Sequence, residues 1–253
     1  MPRTIPTSGP APHDHAVVVP KKYAETGEAP ANVVVPFEAQ SFTENANWRV
    51  FRMMAETIEG FEFLSKLRNE VSIFGSARTT AGHASYKAAR KLGFLLGKNG
   101  YTVITGGGPG IMEAANRGAF QAGGVSVGLD IELSHEQRRN KYATRAMGFH
   151  YFFTRKVMLS ISSQAYIFFP GGFGTLDEMS EMLCLLQTKK IPSNIPFILV
   201  GKTFWKPLLR WMKQAMSVDD EYIDEEDMNI IHLVDSAEEA FEIIKTTKER
   251  PFN

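Results

Sequence analysis

The chain holds a single cysteine among 253 residues, which excludes an internal disulfide and any multi-cysteine metal site. That residue, Cys184, lies in the helix-like run Met182-Leu183-Cys184-Leu185-Leu186 and reads as a small buried hydrophobe. Net charge is missing as well, since 28 basic side chains balance 28 acidic ones. A protein built around nucleic acid needs a basic excess, so nucleic acid is not the expected partner. No apolar run approaches the roughly 18 residues of a membrane-crossing helix, and the N-terminus shows no apolar signal-peptide core. A soluble, cytoplasmic protein without a membrane partner is expected. His13, His15, His83, His135, His150 and His232 show no ligand spacing, so no metal is expected either. The triphosphate motif G-x-x-x-x-G-K-S/T is absent.

Glycine turns are what the chain does have. Ala165-Tyr166-Ile167-Phe168-Phe169 reads as a buried strand that runs into Pro170-Gly171-Gly172-Phe173-Gly174-Thr175-Leu176-Asp177-Glu178, and Met179 to Gln187 has helix-forming composition. Glycines let backbone N–H groups approach a ligand closely, and a helix start adds positive potential at the same spot. Gly171, Gly172, Gly174 and Thr175 therefore suit an anion, most simply a phosphate, with the Glu178 carboxylate beside it. Thr175-x-x-Glu178 is equally the spacing of a capping box, a purely structural device.

Taken in order, residues 1–40 are rich in proline and read as a flexible tail, with a short extended piece at Val33-Val34-Val35. Residues 41–253 read as one domain. Trp48, Phe51, Met54, Ile58, Phe61 and Phe63 recur at helical spacing between Thr43 and Leu67, in a helix expected to pack on the domain or a second subunit and to carry no chemistry. Strands are expected at 71–74, 101–104, 125–129, near Phe149, and at 165–169, 195–200 and 230–234. Helices are expected at about 84–98, 111–122, 154–163, 204–216 and 237–247. Such alternation gives a doubly wound, Rossmann-like α/β fold with a parallel sheet.

All strands of a parallel sheet end on one edge, where ligands bind. Three glycine turns therefore converge: Gly75-Ser76, Gly106-Gly107-Gly108-Pro109-Gly110, and Gly171 to Thr175. The middle turn departs from G-x-G-x-x-G because Ile111 stands at the last glycine position, which favours a mononucleotide or sugar phosphate over a dinucleotide. The helix from Thr154 starts at the same edge and brings Arg155 and Lys156 there. Two cations at a helix start oppose its dipole, so they are better explained by an anionic ligand. Arg138-Arg139-Asn140-Lys141 reads as a solvated basic loop. Asp219-Asp220-Glu221 and Asp224 to Asp227 read as an acidic surface segment rather than a metal site.

Phe152-Phe153-Thr154-Arg155-Lys156-Val157-Met158, followed by Pro170 to Glu178, resembles the LOG ("lonely guy") family, cytokinin riboside 5'-monophosphate phosphoribohydrolases that are often mislabelled lysine decarboxylases. Phe74-Gly75-Ser76 and Gly106 to Ala114 match the same pattern, and the resemblance covers about residues 70 to 215, with the added segments of a larger bacterial subgroup. Plant-type members show Met-His-Glu where this chain has Phe152-Phe153-Thr154. The resemblance implies that Arg155 and Glu178 are the catalytic pair, that the glycine turns hold the nucleotide phosphate, and that Glu113 and Glu181 line the site. It also implies a homodimer or larger homo-oligomer, and no cofactor. The expected reaction is hydrolysis of a nucleoside 5'-monophosphate, with an N6-modified adenine or plain adenine as base. A non-enzymatic nucleotide sensor is the alternative. Lysine decarboxylation needs a Schiff-base lysine and an acidic partner for a pyridoxal ring, and no such arrangement is present.

Overall fold

The computed structural model describes residues 46–131 and 140–250. The proline-rich segment over 1–40 and residues 138–139 of the basic loop lie outside the described residues. The elements are α1 (Ala46–Ser65), β1 (Glu70–Phe74), α2 (Ala84–Lys98), β2 (Thr102–Thr105), α3 (Ile111–Gln121), β3 (Ser126–Ile131), β4 (Arg145–Phe149) and α4 (Phe152–Ile161). They continue as β5 (Tyr166–Phe168), α5 (Phe173–Gln187), β6 (Phe197–Val200), α6 (Lys202–Trp211), β7 (Ile231–Val234) and α7 (Ala237–Ile244). The seven strands form one sheet in the order β4-β3-β2-β1-β5-β6-β7, and every pairing is parallel. The expected doubly wound α/β fold is therefore the observed one.

Strand alternation divides the core in two. Val71, Ile73, Val103 and Ile167 point to the layer of α2, α3 and α7, where Leu92, Leu96, Ala115 and Ala240 meet them. Phe74, Ile104, Leu129 and Phe168 point the other way, towards Leu64, Met158, Met182 and Trp205 of α1, α4, α5 and α6. The five inner strands β1, β2, β3, β5 and β6 are covered on both faces, which is why they read as nearly continuous apolar runs, whereas the edge strands β4 and β7 are more exposed. Glycines bring α2 and α3 close. A Cβ at Gly118 would stand 1.9 Å from the Arg90 carbonyl oxygen, and one at Gly93 2.1 Å from that of Ala115.

The fully buried Asn116 ties this layer to the edge where the glycine turns lie. Its Oδ1 accepts from the Thr105 hydroxyl at 2.6 Å and from Asn140 Nδ2 at 2.9 Å, while its Nδ2 donates to Ser126 Oγ at 2.8 Å. Thr105 Oγ1 in turn accepts from the Gly107 N–H at 3.1 Å, so Asn116 fixes the turn after β2. Asn116→Leu should lower the unfolding free energy by about 2–4 kcal/mol in urea titrations, because it leaves several buried polar groups without partners.

Helix α5 begins at Phe173, inside the glycine turn, which puts Glu178 one turn into it. Sequence periodicity erred at two places. The helix expected to run to Met216 ends as α-helix at Trp211 and continues as a π-helical segment over Met212–Asp219. Cys184 is exposed, not buried. Helix α5 buries Met179, Met182 and Leu186, and at about 100° per residue Cys184 falls on the outward side. No helix among the described residues is long and apolar enough to cross a membrane.

Candidate active site

The chain builds the sheet outwards from β1 to β4 and then returns to lay β5 against the other side of β1. That reversal leaves a crevice at the carboxyl ends of β1 and β5, the usual ligand site of such a sheet. The three turns are clipped together there by backbone bonds. The Ser76 N–H donates to the Pro170 oxygen at 3.1 Å, and the Ser76 oxygen accepts from the Ile111 N–H at 3.0 Å. Gly110 makes the second junction possible, with φ of 69° and space for a Cβ only 2.3 Å from that same Ser76 oxygen.

The resulting crevice is about 590 Å³ in volume. Gly75, Ser76, Gly106, Gly108, Gly172, Gly174, Thr175, Arg155, Lys156 and Glu178 all line it. Four of the expected residues stand elsewhere. Gly107 backs onto Asp130, where a Cβ would overlap the carboxylate, and Gly171 packs over Thr175 Oγ1. Glu113 accepts a hydrogen bond from the Tyr86 hydroxyl at 2.9 Å. Glu181 pairs with Lys156 at 3.2 Å.

Helix α5 starts with Gly172 as its cap, and no side chain bonds its first amides. Thr175 is the third helical residue rather than the cap, so the capping-box reading of Thr175 and Glu178 does not hold. The uncapped N–H groups at this helix start open into the crevice, where they suit an anion. Glu178, one turn on, faces Arg155 across 4.0 Å.

Arg155 is only 7% exposed. Its Nε donates to the Leu129 oxygen at 2.7 Å, and a Cβ at Gly106 would stand 2.1 Å from its Nη2. Gly106 thus makes room for a guanidinium, not only for a turn. Burial pushes the Arg155 pKa down, while Glu178 and Asp130 work against the shift. Burial also pushes Glu178 up to about 7, with Arg155 opposing and Asp177 reinforcing. Near neutral pH this carboxyl exists in both forms, as suits a group that exchanges protons with a substrate or water. Lys156 reaches Asp177 at 2.9 Å and Glu181 at 3.2 Å, and these carboxylates hold its pKa above the ordinary lysine value against the effect of burial.

The sequence reading assigned no chemistry to α1, yet this helix supports the site. Glu56 accepts from the backbone N–H groups of His150 at 3.0 Å and Tyr151 at 3.4 Å, and from the Thr154 hydroxyl at 2.8 Å. The start of α4, which holds Arg155 and Lys156, contains no acidic residue and no local side-chain cap. A carboxylate almost a hundred residues earlier supplies both the cap and the negative charge its dipole calls for. No local motif could reveal this, because the partner is distant in sequence. Glu56→Ala should reduce turnover about tenfold to a hundredfold and speed hydrogen exchange at the His150 and Tyr151 amides, since a charged cap contributes roughly 1.5–3 kcal/mol. Glu56→Gln should retain part of both.

A family model described as "possible lysine decarboxylase" matches residues 112–244, more than half of the chain. The chain belongs to this family, LOG. Among similar proteins, an uncharacterized protein of Archaeoglobus fulgidus is 30% identical over 116 residues, which are 46% of this chain and 74% of that one. A probable cytokinin riboside 5'-monophosphate phosphoribohydrolase of Oryza sativa subsp. japonica is 35% identical over 114 residues, 42% of this chain. The match spans 44% of the rice protein's length. Among solved structures, a molybdenum cofactor binding protein from Rippkaea orientalis aligns with a TM-score of 0.52 at 24% identity, over 70% of this chain and 94% of that one. The molybdenum cofactor carrier protein of Chlamydomonas reinhardtii aligns with a TM-score of 0.51 at 20% identity, over 70% and 96% of the two chains. These structures share the LOG fold of this chain, and the likeness extends to the fold alone.

Proposed function

We propose that the protein hydrolyses the N-glycosidic bond of a nucleoside 5'-monophosphate, releasing a free adenine-type base and ribose 5-phosphate. The observation that carries this reading is Glu178, largely buried, held up to about 7, and set one helical turn behind an uncapped helix start. The phosphate sits on that helix start and the neighbouring glycine turns, which brings C1' of the ribose to the carboxylate. Cleavage passes through an oxocarbenium-like ribosyl cation. Glu178 as carboxylate stabilises that cation and takes a proton from water as the new O–C1' bond forms. The electron pair of the C1'–N bond leaves with the base, which is reprotonated. Arg155 keeps Glu178 aimed across the crevice.

The base end is apolar. Phe173, 92% exposed, and Phe152, 58% exposed, line the crevice with Met112 and Ile131. Exposed aromatic rings at a cleft favour a planar base with an apolar N6 substituent over plain adenine. The rice relative's name, a cytokinin riboside monophosphate hydrolase, agrees with that preference. A decarboxylase reading fits poorly. Lys156, the one lysine lining the crevice, is paired with two carboxylates and kept protonated, which is the wrong state for Schiff-base chemistry.

Chromatography of AMP and N6-isopentenyl-AMP after incubation with the protein tests the proposal. Free base from either nucleotide supports hydrolysis, and the faster one identifies the preferred base. Tight binding of both without release of base would replace the hydrolase with a nucleotide sensor. The homodimer belongs to the same proposal, and sedimentation velocity checks it.

A further inference from the structure

We infer that Arg78 is the cation that binds the substrate phosphate, and that it selects phosphorylated ligands over bare nucleosides. The inference rests on the nucleotide reading above. Three cationic side chains line the crevice: Arg78, Arg155 and Lys156. The sequence pattern pointed to the last two as anion ligands, but the structure shows both already engaged. Arg155 is buried, donates to the Leu129 oxygen, and is bracketed electrostatically by Glu178 and Asp130. Lys156 is shared between Asp177 and Glu181. A phosphate monoester brings almost two negative charges to the crevice at neutral pH. The uncapped start of α5 offers only about half a positive charge. Without a further cation the bound dianion would meet Asp177 and Glu178 with little to offset it.

Arg78 is placed to supply that charge. Only its backbone is fixed, by the N–H bond to Ser76 Oγ at 3.1 Å, and its side chain makes no hydrogen bond or ion pair among the described residues. Ser76, two positions earlier, is the residue whose backbone joins the turn after β5 to the start of α3. Arg78 therefore leaves the chain two residues after the point where all three turns meet, and it lines the same crevice as Gly172 and Gly174. Its planar fork can donate two parallel bonds to phosphate oxygens, which a lysine cannot copy. An exposed side chain on a short loop can also fold over the ligand after it enters.

The test is calorimetric titration of ribose 5-phosphate into wild type, Arg78→Gln and Arg78→Lys, together with kinetics on AMP and adenosine. Arg78→Gln should weaken ribose 5-phosphate binding and raise KM for AMP by about tenfold to a hundredfold, the span of a lost charge-assisted hydrogen bond. Its kcat should stay within about threefold and its action on adenosine should not change, a split that general damage to the fold would not produce. Arg78→Lys should fall between. Unchanged ribose 5-phosphate affinity in Arg78→Gln would overturn the inference while leaving the hydrolase intact. Arg78-dependent binding without any cleavage of AMP would uphold it and remove the hydrolase. If wild type neither binds ribose 5-phosphate nor cleaves AMP, both fall.

Discussion

Glu178→Gln should abolish base release, by at least about a thousandfold, and yet make the protein more stable above neutral pH. A carboxylate acting on the reacting centre contributes on the order of 10²–10⁴ to the rate, and glutamine can neither take the proton nor stabilise the cation. The stability change has the opposite sign because burial raises the Glu178 pKa from 4.5 to about 7. The folded state thus prefers the protonated acid. The stabilising contribution of that group is complete below about pH 4.5 and is lost as the pH rises through 7. Glutamine mimics the neutral acid at every pH and avoids the loss. At about 1.4 kcal/mol per pKa unit, the variant should gain on the order of 3 kcal/mol at pH 8.5 and almost nothing at pH 4.5. Melting temperatures of both proteins across that range check the sign. In the wild type, kcat/KM should rise with pH and level off above about 7, because the charged form does the work. A profile that falls through 7 instead would make Glu178 the acid that protonates the departing base.

The sheet and the crevice were largely legible because their signals are local. Apolar runs such as Tyr166-Ile167-Phe168-Phe169, buried on both faces, end in glycine, and that pattern encodes a parallel strand feeding a tight turn. The meeting of Arg155 and Glu178 at 4.0 Å then follows from the parallel topology. What sequence spacing could not convey was charge pairing. Arg155 and Lys156 read as free cations until Asp177 and Glu181 of α5 and the Leu129 carbonyl of β3 were seen to hold them. Glu56 was silent for a related reason, since a helical pattern of Phe51, Met54 and Ile58 shows where α1 is apolar but not what its one buried carboxylate caps. The Thr175 and Glu178 spacing misled in the other direction. The helix starts at Phe173, two residues before Thr175, behind a glycine cap, and this early start sets the backbone amides free for a ligand.

That early start makes a second large effect expected, at Gly174. A glycine inside the first turn of a helix normally answers to strain or crowding, and here neither is present. A Cβ at Gly174, or at Gly172, would meet nothing within 4 Å, and neither residue has a positive φ. Gly171 next door is different, because its Cβ would stand 2.1 Å from Thr175 Oγ1. Within the protein alone, alanine would be the better residue at 174, by up to about 1 kcal/mol of helix propensity. The space is explained if it belongs to the ligand, whose phosphate oxygens must come within about 3 Å of the N–H groups. Gly174→Ala should therefore raise the melting temperature slightly while raising KM for the nucleotide by about thirtyfold or more, as expected when a methyl group displaces charge-assisted bonds. Gly171→Ala should lower the melting temperature, since its methyl group collides with Thr175. Opposite stability changes at two glycine sites three residues apart, with the more stable variant the one that cannot hold its substrate, separate a turn kept open for ligand from one kept for packing. If Gly174→Ala gains stability and keeps its KM, the phosphate lies elsewhere in the crevice and the start of α5 is not its seat.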